Sequence, residues 1–274
     1  MTSKSYLTPS RIQIIKRQLS ERDLSILSVL QKFKYASAIQ LERLFFTTST
    51  PLSNARLSRR TLKRLTDIQV LQRIDRRIGG VRAGSAGYIY SLDRAGRALN
   101  QGTSKGLRRT FEPSYLFLNH TLRVTELYVL LKEANSFGAL HLDIFQPEPL
   151  CWRPFPGVGR RYLKPDAYIT LRTSEYEYHW FIEIDMDTET MPRIDHKLNG
   201  YSAFWATGKE QAVYGLFPTV LFLVPTEARR YQIARQIERL PPKAQRLFEA
   251  ALFSQAMQLL VADVNGADST QRND

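Results

Sequence analysis

The stretch from Ser53 to Gln69 constrains the chain more than any other, because its pattern suits one kind of helix only. At 100° per residue, Ile68, Leu65 and Leu62 fall within about 140° of Leu57, whereas Arg59, Lys63, Arg56 and Arg60 fall between about 200° and 300°. Apolar and basic residues thus take opposite halves of one cylinder. Arg64 borders the apolar half, where its stem packs or its head touches backbone. No acid stands between Ser53 and Thr66. A merely solvated face mixes signs; a helix buried on one side and wholly cationic on the other suits the major groove of DNA.

Its neighbours fit that reading. Ser20, with Asp23 three residues on, gives a first helix a capping-box start, and Leu24, Leu27 and Leu30 follow. Ser37 and Gln40 do the same for a second helix, which runs to about Phe46 and buries Leu41, Leu44 and Phe45. Thr47 to Pro51 reads as the turn that ends it. Behind the basic helix, Val70 to Arg77 and Tyr88 to Leu92 flank a glycine-rich loop and predict a hairpin. Arg73, Arg76, Arg77 and Arg82 decorate it, which suits contacts to phosphates or the minor groove. Helix, helix, basic helix, basic hairpin is the order of a winged helix-turn-helix domain, placed at residues 1–102. Leu92 to Asn100 is a closing helical turn, and 103–113 a linker.

Charge agrees with this division. The net +13 splits into 22 Lys/Arg against 6 Asp/Glu over residues 1–110, and 17 against 20 over residues 111–274. The cationic surplus therefore belongs to the first domain, and double-stranded DNA, a polyanion, is its expected partner. The single cysteine, Cys151, excludes an internal disulfide framework and cysteine-rich zinc sites. The best apolar run, Val220 to Val224, is far short of the roughly 20 residues that span a bilayer, and residues 1–10 carry no signal-peptide core. A cytoplasmic protein without a membrane partner is expected.

After the linker the period changes. Asn119 to Ser136 is helical; Leu140 to Phe145, Asp166 to Leu171 and Tyr178 to Met186 are strands. A helix at Arg193 to Thr207, a strand at Thr219 to Val224 and a helix at Ala228 to Leu240 complete an α/β domain with a mixed sheet over 114–262. Leu247 to Ala262 fits helix or strand equally, and the polar 263–274 reads as a disordered tail.

The carboxylates of this domain are grouped. If the strands around Ser174-Glu175 form a hairpin, Asp166 faces Glu183. Glu183, Asp185 and Asp187 then share one face, with Ile182, Ile184 and Met186 on the other. Carboxylates converging at a hairpin end repel unless a cation or proton intervenes, and hard oxygen ligands suit Mg²⁺ or Mn²⁺. Asp166, Glu183 and Asp185 are the candidate ligands, and such a set is one by which water is activated against a phosphodiester. Asp187 and Glu189, near the turn before Pro192, read as solvated. His120 falls on an apolar helix face with Val124 and Leu127. Lys197 either pairs with Glu183 or Asp185 or takes part in chemistry.

Pro165-Asp166 followed by Glu183-Ile184-Asp185 resembles the signature of PD-(D/E)XK nuclease-like domains, with Asp185 where a lysine is usual. That resemblance implies a restriction-endonuclease-like fold, Lys197 as substitute lysine and Glu126 as a helical acid near the metal. Over nearly its whole length the chain is similar to the replication-relaxation family of mobile elements. The residues that carry the likeness are the winged-helix pattern, His120-Thr-Leu-Arg-Val-Thr-Glu126, Lys164-Pro-Asp166, Glu183-Ile-Asp185-Met-Asp-Thr188 and Lys197-Leu-Asn-Gly-Tyr201. The likeness implies a plasmid or integrated-element protein acting in replication, DNA relaxation or mobilisation. A relaxase or replication protein, or a second copy of the chain, is the implied protein partner. Three readings follow: a DNA-binding accessory protein with a degenerate nuclease-like domain, a Mg²⁺-dependent endonuclease or nickase, and a transcriptional regulator. The first is favoured, because Asp185 replaces the usual lysine.

Overall fold

The computed structural model describes residues 7–74, 87–101, 113–156, 161–172 and 176–264. It is a mixed α/β structure that divides into two compact units, Met1–Val129 and Leu130–Asp274. The division falls inside one helix, so residues 115–129 pack with the N-terminal elements, although the sequence pattern assigns that whole helix to the second domain. Among the described residues no helix is long and apolar enough to cross a membrane.

The first unit begins with α1 (Pro9–Gln18), α2 (Glu21–Phe33), β1 (Ala36–Ser37), α3 (Ala38–Phe45) and α4 (Pro51–Asp67). β2 (Leu71–Ile74), β3 (Ile89–Leu92), α5 (Arg94–Gln101) and the first part of α6 (Tyr115–Ser136) follow. Both capping boxes form. The Ser20 hydroxyl accepts the Asp23 amide while Asp23 accepts the Ser20 amide, and Ser37 and Gln40 do likewise. Each satisfies orphan amide donors of a first turn. Pro51 does not close a turn; it is the first residue of α4, after the cap Thr50. Proline is tolerated there because the missing N–H has no intrahelical acceptor.

α2 buries Ile26, Leu27, Leu30 and Phe33, whereas Leu24, expected inside, is exposed. Leu41, Leu62, Leu65, Val70, Leu71 and Ile89 are also buried in this unit. β1 and β2 pair antiparallel to either side of β3, with Leu71 opposite Leu92. The loop between β2 and β3, with the expected cations Arg76, Arg77 and Arg82, lies outside the described residues.

In the second unit the sheet order is β10-β9-β8-β7-β4. The strands are β4 (His141–Pro147), β7 (Ala167–Arg172), β8 (Glu177–Ile184), β9 (Thr219–Val224) and β10 (Phe248–Leu252), and β5 (Arg153–Pro154) pairs with β6 (Tyr162–Leu163) apart from them. β4, β7 and β8 run antiparallel, whereas β8–β9 and β9–β10 are parallel, so the sheet is mixed. Four helices, α7 (Met191–Trp205), α8 (Lys209–Tyr214), α9 (Glu227–Ile237) and α10 (Pro242–Gln245), separate the strands, and α11 (Ala256–Val264) follows them. The ambiguous stretch 247–262 is therefore strand first and helix second. From Val220 to Val224 β9 is apolar because β8 and β10 flank it and both its faces are covered, as parallel strands require. Tyr168, Phe181, Ile194, Tyr201, Phe204 and Phe222 form the centre of this core.

Candidate functional site

Two arrangements invite a function, one in each unit. In the first, α4 buries Ser58, Leu62 and Leu65, and Arg56, Arg59, Arg60 and Lys63 are exposed. Lys63 makes a surface pair with Asp67 at 2.7 Å, of a kind that contributes little. Arg64 is engaged differently. Its Nη2 lies 2.6 Å from Oδ2 of Asp23, a carboxylate only 1% exposed, so Arg64 ties α4 to the start of α2. Between α4 and the β2–β3 pair lies a cleft of about 560 Å³, lined by Arg59, Lys63, Arg73, Tyr88 and Tyr90 among others. The Arg73 guanidinium lies over the Tyr88 ring at 4.3 Å, which holds a cation beside that cleft.

Glu126 lies in the first unit. Its two carboxylate oxygens accept from Arg43 Nη1 and from Gln40 Nε2, and Gln40 Nε2 also donates to the Leu122 carbonyl. These bonds fasten α6 to α3.

In the second unit the hairpin register has Ala167 opposite Ile182, which puts Asp166 across from Glu183. The Asp166 amide donates to the Ile182 carbonyl at 3.0 Å, and its Oδ2 accepts the Ile184 amide at 2.7 Å. Asp166 therefore prolongs the ladder with its own side chain. Glu183 is 1% exposed. Its Oε2 accepts from Lys197 Nζ at 2.8 Å and its Oε1 from the Tyr201 hydroxyl at 2.6 Å. Those donors sit one turn apart on α7, so one helix face reaches both oxygens. Lys197 Nζ is also 2.8 Å from Glu189, which Arg193 holds from its other side at 2.9 Å.

Burial pushes the Glu183 carboxyl up to about 7; Lys197 pulls against this and nearby Asp166 adds to it. Burial alone would lower the Lys197 ammonium, but Glu183, Asp166 and Glu189 outweigh it and hold the proton on. The Tyr201 hydroxyl is raised well above its ordinary value by burial and then by Glu183. Burial and the neighbouring Asp166 likewise raise the Cys151 thiol, which donates to the Pro165 carbonyl.

Asp185 faces a different partner. Its Oδ2 accepts from Arg229 Nε at 2.9 Å and Nη2 at 2.6 Å, and its Oδ1 accepts the Asp187 amide at 2.6 Å. Arg229, from α9, is 3% exposed. The fold thus brings Lys197 to Glu183 and Arg229 to Asp185, with Asp166 beside them. Among the described residues no group of three or more His, Cys, Asp or Glu side chains is disposed to hold a metal ion. The acids expected to hold Mg²⁺ or Mn²⁺ are engaged by protein donors instead, Glu183 by Lys197 and Tyr201, Asp185 by Arg229 and Asp166 by the Ile184 amide. Sequence reasoning missed Arg229, whose distance along the chain gives no local signal. It also read Glu189 as solvated, whereas its side chain is 18% exposed and bridges Lys197 and Arg193.

A family model described as replication-relaxation matches residues 27–220. No curated protein and no solved structure matches the chain.

Proposed function

Since the chain belongs to the replication-relaxation family, we propose that it acts on the DNA of a mobile genetic element, in replication or relaxation, by binding the double helix through α4. The observation that carries this is the outward cationic face of Arg56, Arg59 and Arg60 on a helix whose other face is core. The order α2, β1, α3, α4, β2, β3 supports a winged helix in which α4 enters the major groove and the β2–β3 hairpin lies along the backbone. In the second unit, the run β4, β7, β8, α7, β9 around a mixed sheet, with Asp166 and Glu183 opposed at one strand end, supports a nuclease-like fold. It serves here as a contact surface for DNA, a relaxase, a replication protein or a second copy.

The test is fluorescence anisotropy on a labelled duplex over a salt series. Replacing Arg56, Arg59, Arg60 and Lys63 together by Ala should leave the far-UV circular dichroism unchanged and lower affinity strongly. Each lost base contact costs roughly 1–3 kcal/mol, and each lost phosphate contact reduces the salt slope by about 0.9. Unchanged affinity in the folded variant would remove α4 from the interface.

A further inference from the structure

A divalent ion needs several unshared oxygens converging on one point. Around Arg229, oxygens of Asp185, Asp187 and Glu189 gather along one edge, and a guanidinium holds them. Asp185 Oδ2 lies 2.6 Å from Nη2 and 2.9 Å from Nε; the Glu189 carbonyl lies 2.7 Å from Nη2, and Asp187 Oδ1 3.3 Å from Nε. The fourth partner, Gln232 Oε1, holds Nη1 at 3.2 Å from within α9. The backbone of this loop is folded to that purpose: Asp187 adopts a left-handed conformation (φ 59°) and its amide closes on Asp185.

We infer that Arg229 is a built-in cation that takes the place of a divalent ion, closing the loop 185–189 against α9 and making this carboxylate site independent of metal. A planar fork suits three oxygens spread along one edge better than an ammonium does. Lys197 performs the same service for Glu183 and Glu189. The inference does not depend on DNA binding.

Thermal unfolding of the full-length chain tests it, followed by tryptophan fluorescence. All three tryptophans, Trp152, Trp180 and Trp205, lie in the second unit, so the signal reports that unit alone. The wild-type Tm should be the same in EDTA, Mg²⁺ and Mn²⁺. Arg229→Gln should melt lower in EDTA and recover several degrees as Mn²⁺ is added, and the recovery should vanish in the double variant Asp185→Asn, Arg229→Gln. Arg229→Lys should fall between wild type and Arg229→Gln without responding to metal. A saturable rise of the wild-type Tm with Mn²⁺ that Asp185→Asn abolishes would overturn the inference. So would an Arg229→Gln protein that melts like wild type in EDTA or ignores Mn²⁺. If Arg229→Gln does not accumulate as folded protein, the wild-type and Arg229→Lys melts decide.

Discussion

At Glu183 burial and the neighbouring Lys197 act against each other. Buried with Lys197 on one oxygen and Tyr201 on the other, it has a folded pKa near 7 against an ordinary value of 4.5. A raised carboxyl binds its proton more tightly in the folded state. Its contribution is therefore fully present below about pH 4.5 and is lost as pH rises through about 7. Tryptophan-monitored Tm of wild type should fall relative to Glu183→Gln across that window and run parallel to it above. A wild-type profile parallel to Glu183→Gln from pH 4.5 to 8 would contradict the shift. The facing of Asp166 and Glu183 was legible, since a hairpin about residue 174 fixes opposed residues by arithmetic. The spacing of Lys197 and Tyr201 at i and i+4 was visible too. What Arg229 does was not, because a contact 44 residues away depends on how α9 docks.

Elements were legible where local chemistry marks their ends. Ser20, Ser37 and the glycine-rich loop announce α2, α3 and the hairpin, and β9 is read to the residue because a continuous apolar run has sharp limits. α1 and α8 were missed because neither carries a strong apolar stripe: α1 buries Ile15 alone, and α8 has six residues. Pro51 misled for a sound reason, since proline marks both the end of one helix and the first turn of the next. The closure of α5 on β2 makes a prediction at this scale. A Cβ on Gly96 would stand 2.3 Å from the Val70 carbonyl oxygen, and that backbone is itself held by the Asp93 amide. Neither side can yield cheaply, so Gly96→Ala should destabilise the first unit despite alanine's better helix propensity. The expected loss is about 1–3 kcal/mol in urea unfolding followed by far-UV circular dichroism. A neutral or stabilising result would mean that α5 is free to move away from Val70.

Across the whole molecule, charge and acid chemistry are segregated. Residues 1–110 carry the cationic surplus and residues 111–274 a slight acidic one. Affinity for DNA should therefore be steeply salt-dependent, and the dependence should be set by the first unit. In the second unit the grouped acids Asp166, Glu183 and Asp185 are each engaged by a protein donor. Metal-assisted cleavage places an ion between carboxylates and leaves a water or hydroxide on it. Here Glu183 is held by Lys197 and Tyr201, Asp185 by Arg229, and Asp166 by the Ile184 amide. The ammonium that would assist such a reaction is itself shared between Glu183 and Glu189. Supercoiled plasmid incubated with the intact protein should therefore stay supercoiled in Mg²⁺ as in EDTA, at concentrations where anisotropy shows the DNA fully bound. Agarose electrophoresis reads the outcome directly. Open circles that appear only with Mg²⁺ and disappear in both Asp166→Asn and Lys197→Ala would show that DNA binding rearranges these pairs and exposes a working metal site. Open circles that persist in both variants would place the nicking outside this site.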